Sequence, residues 1–211
     1  MYIPKAFCED DLTTLHALMQ NYSFATLITQ HDGVPFASHL PLLLRPEEGP
    51  YGTLVGHMAR ANPQWRDFDA VQEVLVIFQG PHAYISPSWY EVHPSVPTWN
   101  YAVVHAYGTP QLIDDSATLY EMLHALVHTY EAPRPQPWAF DLPADYVHNM
   151  MQGIVGFTMR IRRLEGKCKL SQNRPLGDQK RVATALEKQD DPLSADVAAL
   201  MRTRVLDGAG A

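Results

Sequence analysis

The feature that most restricts this chain is a succession of short, apolar, β-prone runs separated by turns, with no regular helix of roughly ten to fifteen residues between successive runs. The pattern predicts strands over 24–30, 35–44, 52–58, 73–79, 82–86, 99–107, 111–113, 154–162 and 167–170. Parallel strands need long crossovers, usually helical, so a doubly wound parallel sheet is disfavoured and an antiparallel barrel is favoured. The first two runs flank His31-Asp32-Gly33, and Asp-Gly between β-prone segments is a strong hairpin signal.

Helices are expected around this β core. Leu12, Leu15, Leu18 and Met19 recur at helical spacing behind Asp10 and Asp11, which predicts a helix to about residue 20. Leu119, Met122, Leu123, Leu126 and Val127 trace one stripe over 115–130, and a further helix is expected near 144–152. Pro133, Pro135, Pro137 and Pro143 make the connector between them extended, and Trp138 and Phe140 within it need an apolar surface. That surface is expected to be a barrel face or a partner subunit. After Leu176 the chain turns helical through Val182, Leu186, Val197, Leu200 and Met201, and Gly208-Ala209-Gly210-Ala211 reads as frayed. The expected division is a barrel domain over 1–188 and a helical tail over 189–211. The class is mainly β with added helices (α+β).

Composition excludes several functions. No apolar run is long enough to cross a bilayer, and Met1 to Asp11 lacks a basic segment followed by an apolar stretch, so a cytoplasmic protein is expected with no membrane partner. A net charge of −7 opposes a large footprint on a phosphate backbone, and no helix-turn-helix is spelled out. Arg160, Arg162, Arg163, Lys167 and Lys169 read as a solvated strand face. Cys8 and Cys168 lack CxxC spacing and read as idle thiols. His124 and His128, one helical turn apart, have no HExxH pattern, so no metal is expected. Neither a nucleophile elbow nor a Cys/His signature appears, so no catalytic residue is assigned.

Candidate ligand contacts cluster in four places. His57-Met58-Ala59-Arg60-Ala61-Asn62-Pro63 follows a strand and places Asn at an N-cap with Pro in the first turn, beside an Arg whose planar fork suits a phosphate. The alternative, Arg60 paired with Asp67 in a structural turn, stands level with it on spacing alone. Gln79 closes an apolar strand and can address a heterocycle edge, with Trp89 and Tyr90 offering planar surface. Thr98 and Asn100 open a strand whose small face, Asn100, Ala102, Val104 and Ala106, leaves room for a ligand or a packed neighbour. Lys169-Leu170-Ser171-Gln172-Asn173-Arg174 concentrates hydrogen-bonding side chains before Pro175, as a ligand or subunit contact or as a solvated turn. His39 and His57 each interrupt an apolar strand, as a cofactor contact or as a core histidine satisfied by backbone groups.

These segments resemble the signature of PaiB-type proteins, described as FMN-binding negative transcriptional regulators. The matching phrases are Met1-Tyr2-Ile3-Pro4, Ser23-Phe24-Ala25-Thr26-Leu27, His39-Leu40-Pro41-Leu42 and the stretches 56–65, 76–90, 96–105, 153–156 and 169–174. The resemblance implies a six-stranded antiparallel split β-barrel that forms a homodimer with FMN in the groove between subunits. Carried over by motif, it places Arg60 and Asn62, with Ala61 between them, at the phosphate, and His57 and Met58 beside the ribityl chain. Gln79, Thr98, Asn100, Gln172 and Arg174 become further contributors to the ring or to the facing subunit, and His39 a further contact of the cofactor. It implies a regulator of flavin or redox state, with DNA as a partner by family description and against the charge. The wider group offers an FMN-dependent oxidoreductase of the pyridoxamine-phosphate oxidase or flavin reductase kind. A haem-handling barrel with an axial histidine is the remaining alternative.

Overall fold

The structure is a computed structural model and describes residues 1–68 and 72–206; the expected frayed end, Gly208 to Ala211, lies outside the described residues. The strands are β1 (Cys8–Glu9), β2 (Phe24–His31), β3 (Val34–Pro41), β4 (Leu43–Arg45), β5 (Thr53–Ala59), β6 (Val74–Ile85), β7 (Thr98–Ile113) and β8 (Ile154–Lys169). Their order is β3-β2-β6-β7-β8-β5-β4, with β1 on β8, and every pair of defined register is antiparallel. Eight strands stand among the described residues where six were expected. The two in excess are the short β1 and β4, of two and three residues, and the six long strands remain.

Three pairs of expected runs are single strands, because the glycines that look like turn punctuation serve close approach instead. A side chain at Gly80 would meet the carbonyl oxygen of Ala102 at 3.0 Å, so β6 continues through Gly80-Pro81 with its backbone against β7. The expected hairpin forms with Phe24 opposite Pro41 and His31 opposite Val34. Its two-residue turn places Asp32 at φ 50° and Gly33 at φ 79°, the left-handed geometry that Asp-Gly favours.

The helices are α1 (Leu12–Asn21), α2 (Ser116–Glu131), α3 (Ala144–Gln152), α4 (Leu176–Leu186) and α5 (Pro192–Met201). Side-chain caps start three of them. Asp11 accepts from the Thr14 N–H, Asp115 from Thr118, and Asp191 from Leu193 and Ser194.

The described chain forms two compact units, and β6, β7 and β8 each contribute a segment to both. The first unit comprises Met1–Leu18, Gln79–His105 and the described residues from Glu165 onward. It buries Leu15, Ile85, Val104, Leu170, Val182, Leu186, Val197 and Met201, so α4 and α5 pack into one core with the strand ends. The second unit comprises Met19–Phe78 and Ala106–Leu164. It buries Leu27, Leu54, Val76, Phe78, Phe157, Met159 and Ile161. There α2 and α3 cover β5 through Leu119, Met122, Val147 and Met151, joined by Phe140 from the proline-rich connector. That connector folds back on α2, with the Trp138 N–H donating to Glu131 at 2.8 Å.

Candidate functional site

In the second unit, β5 pairs with β8 so that His57, Met58 and Ala59 lie opposite Gly156, Val155 and Ile154. The next residue ties this strand end down. The Arg60 backbone N–H donates to the Gly153 carbonyl at 2.8 Å, and its guanidinium Nε and Nη2 donate to the carbonyls of Gln152 and Ile154, each at 2.8 Å. Asp67 is engaged elsewhere, accepting from Thr29 at 3.1 Å and pairing with His31 at 2.7 Å. That hydrogen bond raises the His31 pKa above its ordinary value.

Asn62 acts as the expected cap, its Oδ1 accepting from the Gln64 N–H at 3.0 Å while Nδ2 donates to Ser38 at 2.8 Å. The helix it opens is a five-residue 3-10 turn, Pro63–Asp67. Gln64 is fully buried and fastens this turn to the hairpin through the carbonyls of Leu27 and Phe36, both at 3.1 Å. Two buried polar atoms in the segment, His57 Nδ1 and Gln64 Oε1, have no partner among the described residues. Burial holds the His57 pKa below its ordinary value and so keeps the ring neutral. Met58 is buried, Ala61 is exposed in the turn, and His39 is exposed on β3 with Nδ1 3.1 Å from the Thr26 hydroxyl.

The remaining expected residues belong to the first unit. Thr98, Asn100 and Arg174 line one cavity of about 210 Å³, together with Tyr90, Lys169 and Ser171. Asn100 is fully buried, donates from Nδ2 to the Ser171 hydroxyl at 2.9 Å, and accepts from it at 3.3 Å. Ser171 stands at φ 66°, an uncommon conformation for a residue with a side chain. Lys169 donates to the Thr98 hydroxyl and, at 2.6 Å, to the Trp99 carbonyl. Arg174 donates to Ser95 at 3.3 Å and lies 4.3 Å from the centroid of Tyr90. Gln172 does not line this cavity. Its side chain folds onto its own strand end, accepting from Leu170 at 2.6 Å and donating to Cys168 at 2.5 Å. Gln79 is exposed on β6.

The expected residues therefore divide, six in the second unit and five in the first. Lys169, Ser171 and Tyr90 were not assigned to the cofactor, although the donor-dense run ending at Arg174 contains the first two and Tyr90 stood out as planar surface. A second cavity, of about 510 Å³ and largely apolar, lies between α2 and the connector, with His124, His128, Trp138 and Phe140 among its walls.

Solved structures of similar fold place this architecture. The flavocytochrome Anf3 from Azotobacter vinelandii matches with a TM-score of 0.60 at 17% identity, over 79% of this chain and 72% of that one. The FAD and heme binding protein from Mycobacterium smegmatis matches with a TM-score of 0.57 at 16% identity, over 77% and 73%. The fold is the split barrel of flavin-binding proteins.

The family described as "Putative FMN-binding domain" matches residues 1–163. The protease synthase and sporulation protein PAI 2 of Bacillus subtilis is 39% identical over 206 residues, covering 97% of this chain and 98% of that protein. The chain belongs to this PaiB-type FMN-binding family, and FMN is the cofactor that membership assigns.

FMN brings a dianionic phosphate, a polyol and a heteroaromatic ring. In the second unit the unpartnered buried nitrogen of His57 is of the right chemistry for the polyol or ring; in the first unit, taken by itself, Thr98, Asn100, Lys169 and Arg174 are of the right chemistry for a phosphate. Among the described residues no helix is long and apolar enough to cross a membrane.

Proposed function

We propose that this chain is an FMN-binding regulatory protein of the PaiB type, acting as a cytoplasmic homodimer that responds to flavin or redox state. His57 carries the reading. Buried polar atoms are nearly always paired, yet Nδ1 of this half-buried, neutral ring is satisfied by no group among the described residues, which leaves it for a ligand. In this assignment His57 and Met58 flank the ribityl chain and His39 lies toward the same ligand. Arg60, Ala61 and Asn62 stand at the phosphate; Gln79, Thr98, Asn100, Gln172 and Arg174, all in the first unit, are assigned to the ring or to the facing subunit. Bound FMN supplies a redox-active ring. The protein's part is to bind it, orient it and keep His57 unprotonated.

The dimer is supported by exposed aromatic surface. Tyr84 and Trp99 stand edge to face at 6.0 Å on the first unit, 48% and 51% exposed, and Phe24 on the second is 69% exposed. With a net charge of −7, the effector is a protein partner or metabolite in preference to a broad DNA surface. The test is an absorption spectrum and FMN titration of the purified chain with His57→Gln alongside. Flavin bands with weaker binding in the variant support the assignment. A Soret band would move it to haem, and steady NAD(P)H-dependent flavin turnover would move it to an oxidoreductase.

A further inference from the structure

We propose that the cavity where β8 ends in the first unit is a receptor for a compact, doubly charged oxyanion, a phosphate monoester or inorganic phosphate.

Its charge is unbalanced. Lys169 and Arg174 line it, Lys167 lies close enough to repel Lys169, and among the described residues none of the three pairs with a carboxylate. Lys167 is buried, donates to the Tyr2 carbonyl at 3.0 Å, and lies 5.6 and 5.3 Å from the ring centroids of Tyr2 and Tyr101. The nearby Glu91 is taken by Arg181, and Asp178 accepts from the Glu91 N–H at 2.7 Å. Among the described residues no carboxylate lines the cavity itself. Burial, with the repulsion of Lys167 and Arg174, holds the Lys169 pKa below its ordinary value, a cost that a bound dianion would remove.

Its walls are donors. Thr98, Asn100, Ser171 and Asn173 join the two cations around about 210 Å³. That is smaller than the roughly 300–1,000 Å³ of pockets for whole drug-sized molecules and suits a single head group. Tyr90, 4% exposed, is one wall, and its hydroxyl is buried without a partner among the described residues. The positive φ of Ser171 sets its hydroxyl on this wall, and backbone strain of that kind gathers where a ligand is clamped. Two half-buried cations, set among the buried Asn100, Ser171 and Tyr90 with no internal anion, make the arrangement of an anion site.

The experiment is calorimetric titration of the full chain, free of flavin, with inorganic phosphate, FMN and riboflavin, repeated for Lys169→Met, Lys169→Arg and Arg174→Gln. The expected result is saturable phosphate binding that falls about tenfold or more in Lys169→Met and Arg174→Gln, the loss of one charge-assisted hydrogen bond, and is partly restored in Lys169→Arg. A preference for FMN over riboflavin that disappears in the same two variants identifies the anion as the flavin's own phosphate and moves that phosphate from Arg60 and Asn62 to this cavity. A preference that survives while phosphate binding is lost identifies a separate small-molecule anion. Phosphate and FMN binding that is absent in the wild type, or equal in all variants, overturns the proposal. Because phosphate is read without flavin, failure of the flavin assignment leaves this test intact.

Discussion

Arg60 is the residue at which a ligand role and a structural role make opposed demands, and Arg60→Ala separates them. The side chain makes two hydrogen bonds of 2.8 Å to the carbonyls of Gln152 and Ile154, closing the ends of β5 and β8 over the C-terminus of α3. Charge-assisted bonds contribute about 1.5–3 kcal/mol each when well shielded. Arg60 is exposed, so water screens the pair and replaces it at the freed carbonyls; the loss should be about 1 kcal/mol for both together. The backbone bond from Arg60 to Gly153 survives the substitution and limits the damage to the strand end. For a chain of this size that loss lowers Tm by about 2–4 °C. An ammonium group cannot present a planar fork to two acceptors, so Arg60→Lys should recover less than half of it. Thermal unfolding of the flavin-free variants by circular dichroism gives the stability arm, and FMN titration of the same samples gives the ligand arm. An unchanged Tm in Arg60→Ala would refute the strand-end clamp, and an FMN affinity reduced by less than about tenfold, or about 1.4 kcal/mol, would refute the place of Arg60 at the phosphate.

Three further outcomes are expected. Gly166→Ala should lose about 1–3 kcal/mol in urea unfolding, because the added carbon would sit 2.2 Å from Leu15 Cδ2 and 2.6 Å from the Glu9 carbonyl oxygen. His57 has a folded pKa depressed by burial, so its contribution is complete above the ordinary value of 6.5 and declines as pH falls below it. The wild type should therefore lose more stability on acidification than His57→Gln. Cys168, pushed up to about 11 by burial and the charge of Glu9, should resist alkylation near pH 8 while exposed Cys8 is modified, as read by mass spectrometry of the intact chain.

Much of the architecture was legible because it depends on local chemistry. Asp32-Gly33 specifies its turn through backbone conformation alone, and Asp11 and Asp115 cap the helices that follow them. The small face of β7 was legible as a surface that something approaches closely, and at Ala102 the neighbour is the backbone of Gly80. The same glycine misled the strand boundaries, since a residue without Cβ looks identical whether it makes a turn or admits a neighbouring strand. Gly108 repeats this, its missing Cβ lying 2.4 Å from the Arg160 carbonyl oxygen inside a continuous β7.

The residues proposed for the site stood out in type and less so in arrangement. His57 stood out as a polar break in an apolar strand, and the run from Lys169 to Arg174 stood out for its density of donors. The acceptors of Arg60 lie more than ninety residues along the chain, and they are backbone carbonyls with no side-chain signature. Tyr90 lines the cavity beside Arg174, which lies over its ring from a similarly distant part of the chain. No spacing rule encodes either pairing.

The chain binds FMN through groups it already holds in place. Equilibrium titration of the flavin-free protein with FMN, followed by flavin fluorescence and absorbance, measures it most directly. Saturation is expected at one FMN per chain with perturbed flavin bands, weakened by His57→Gln. A titration with free-flavin spectra throughout, on a chain whose melting curve shows it folded, would contradict it.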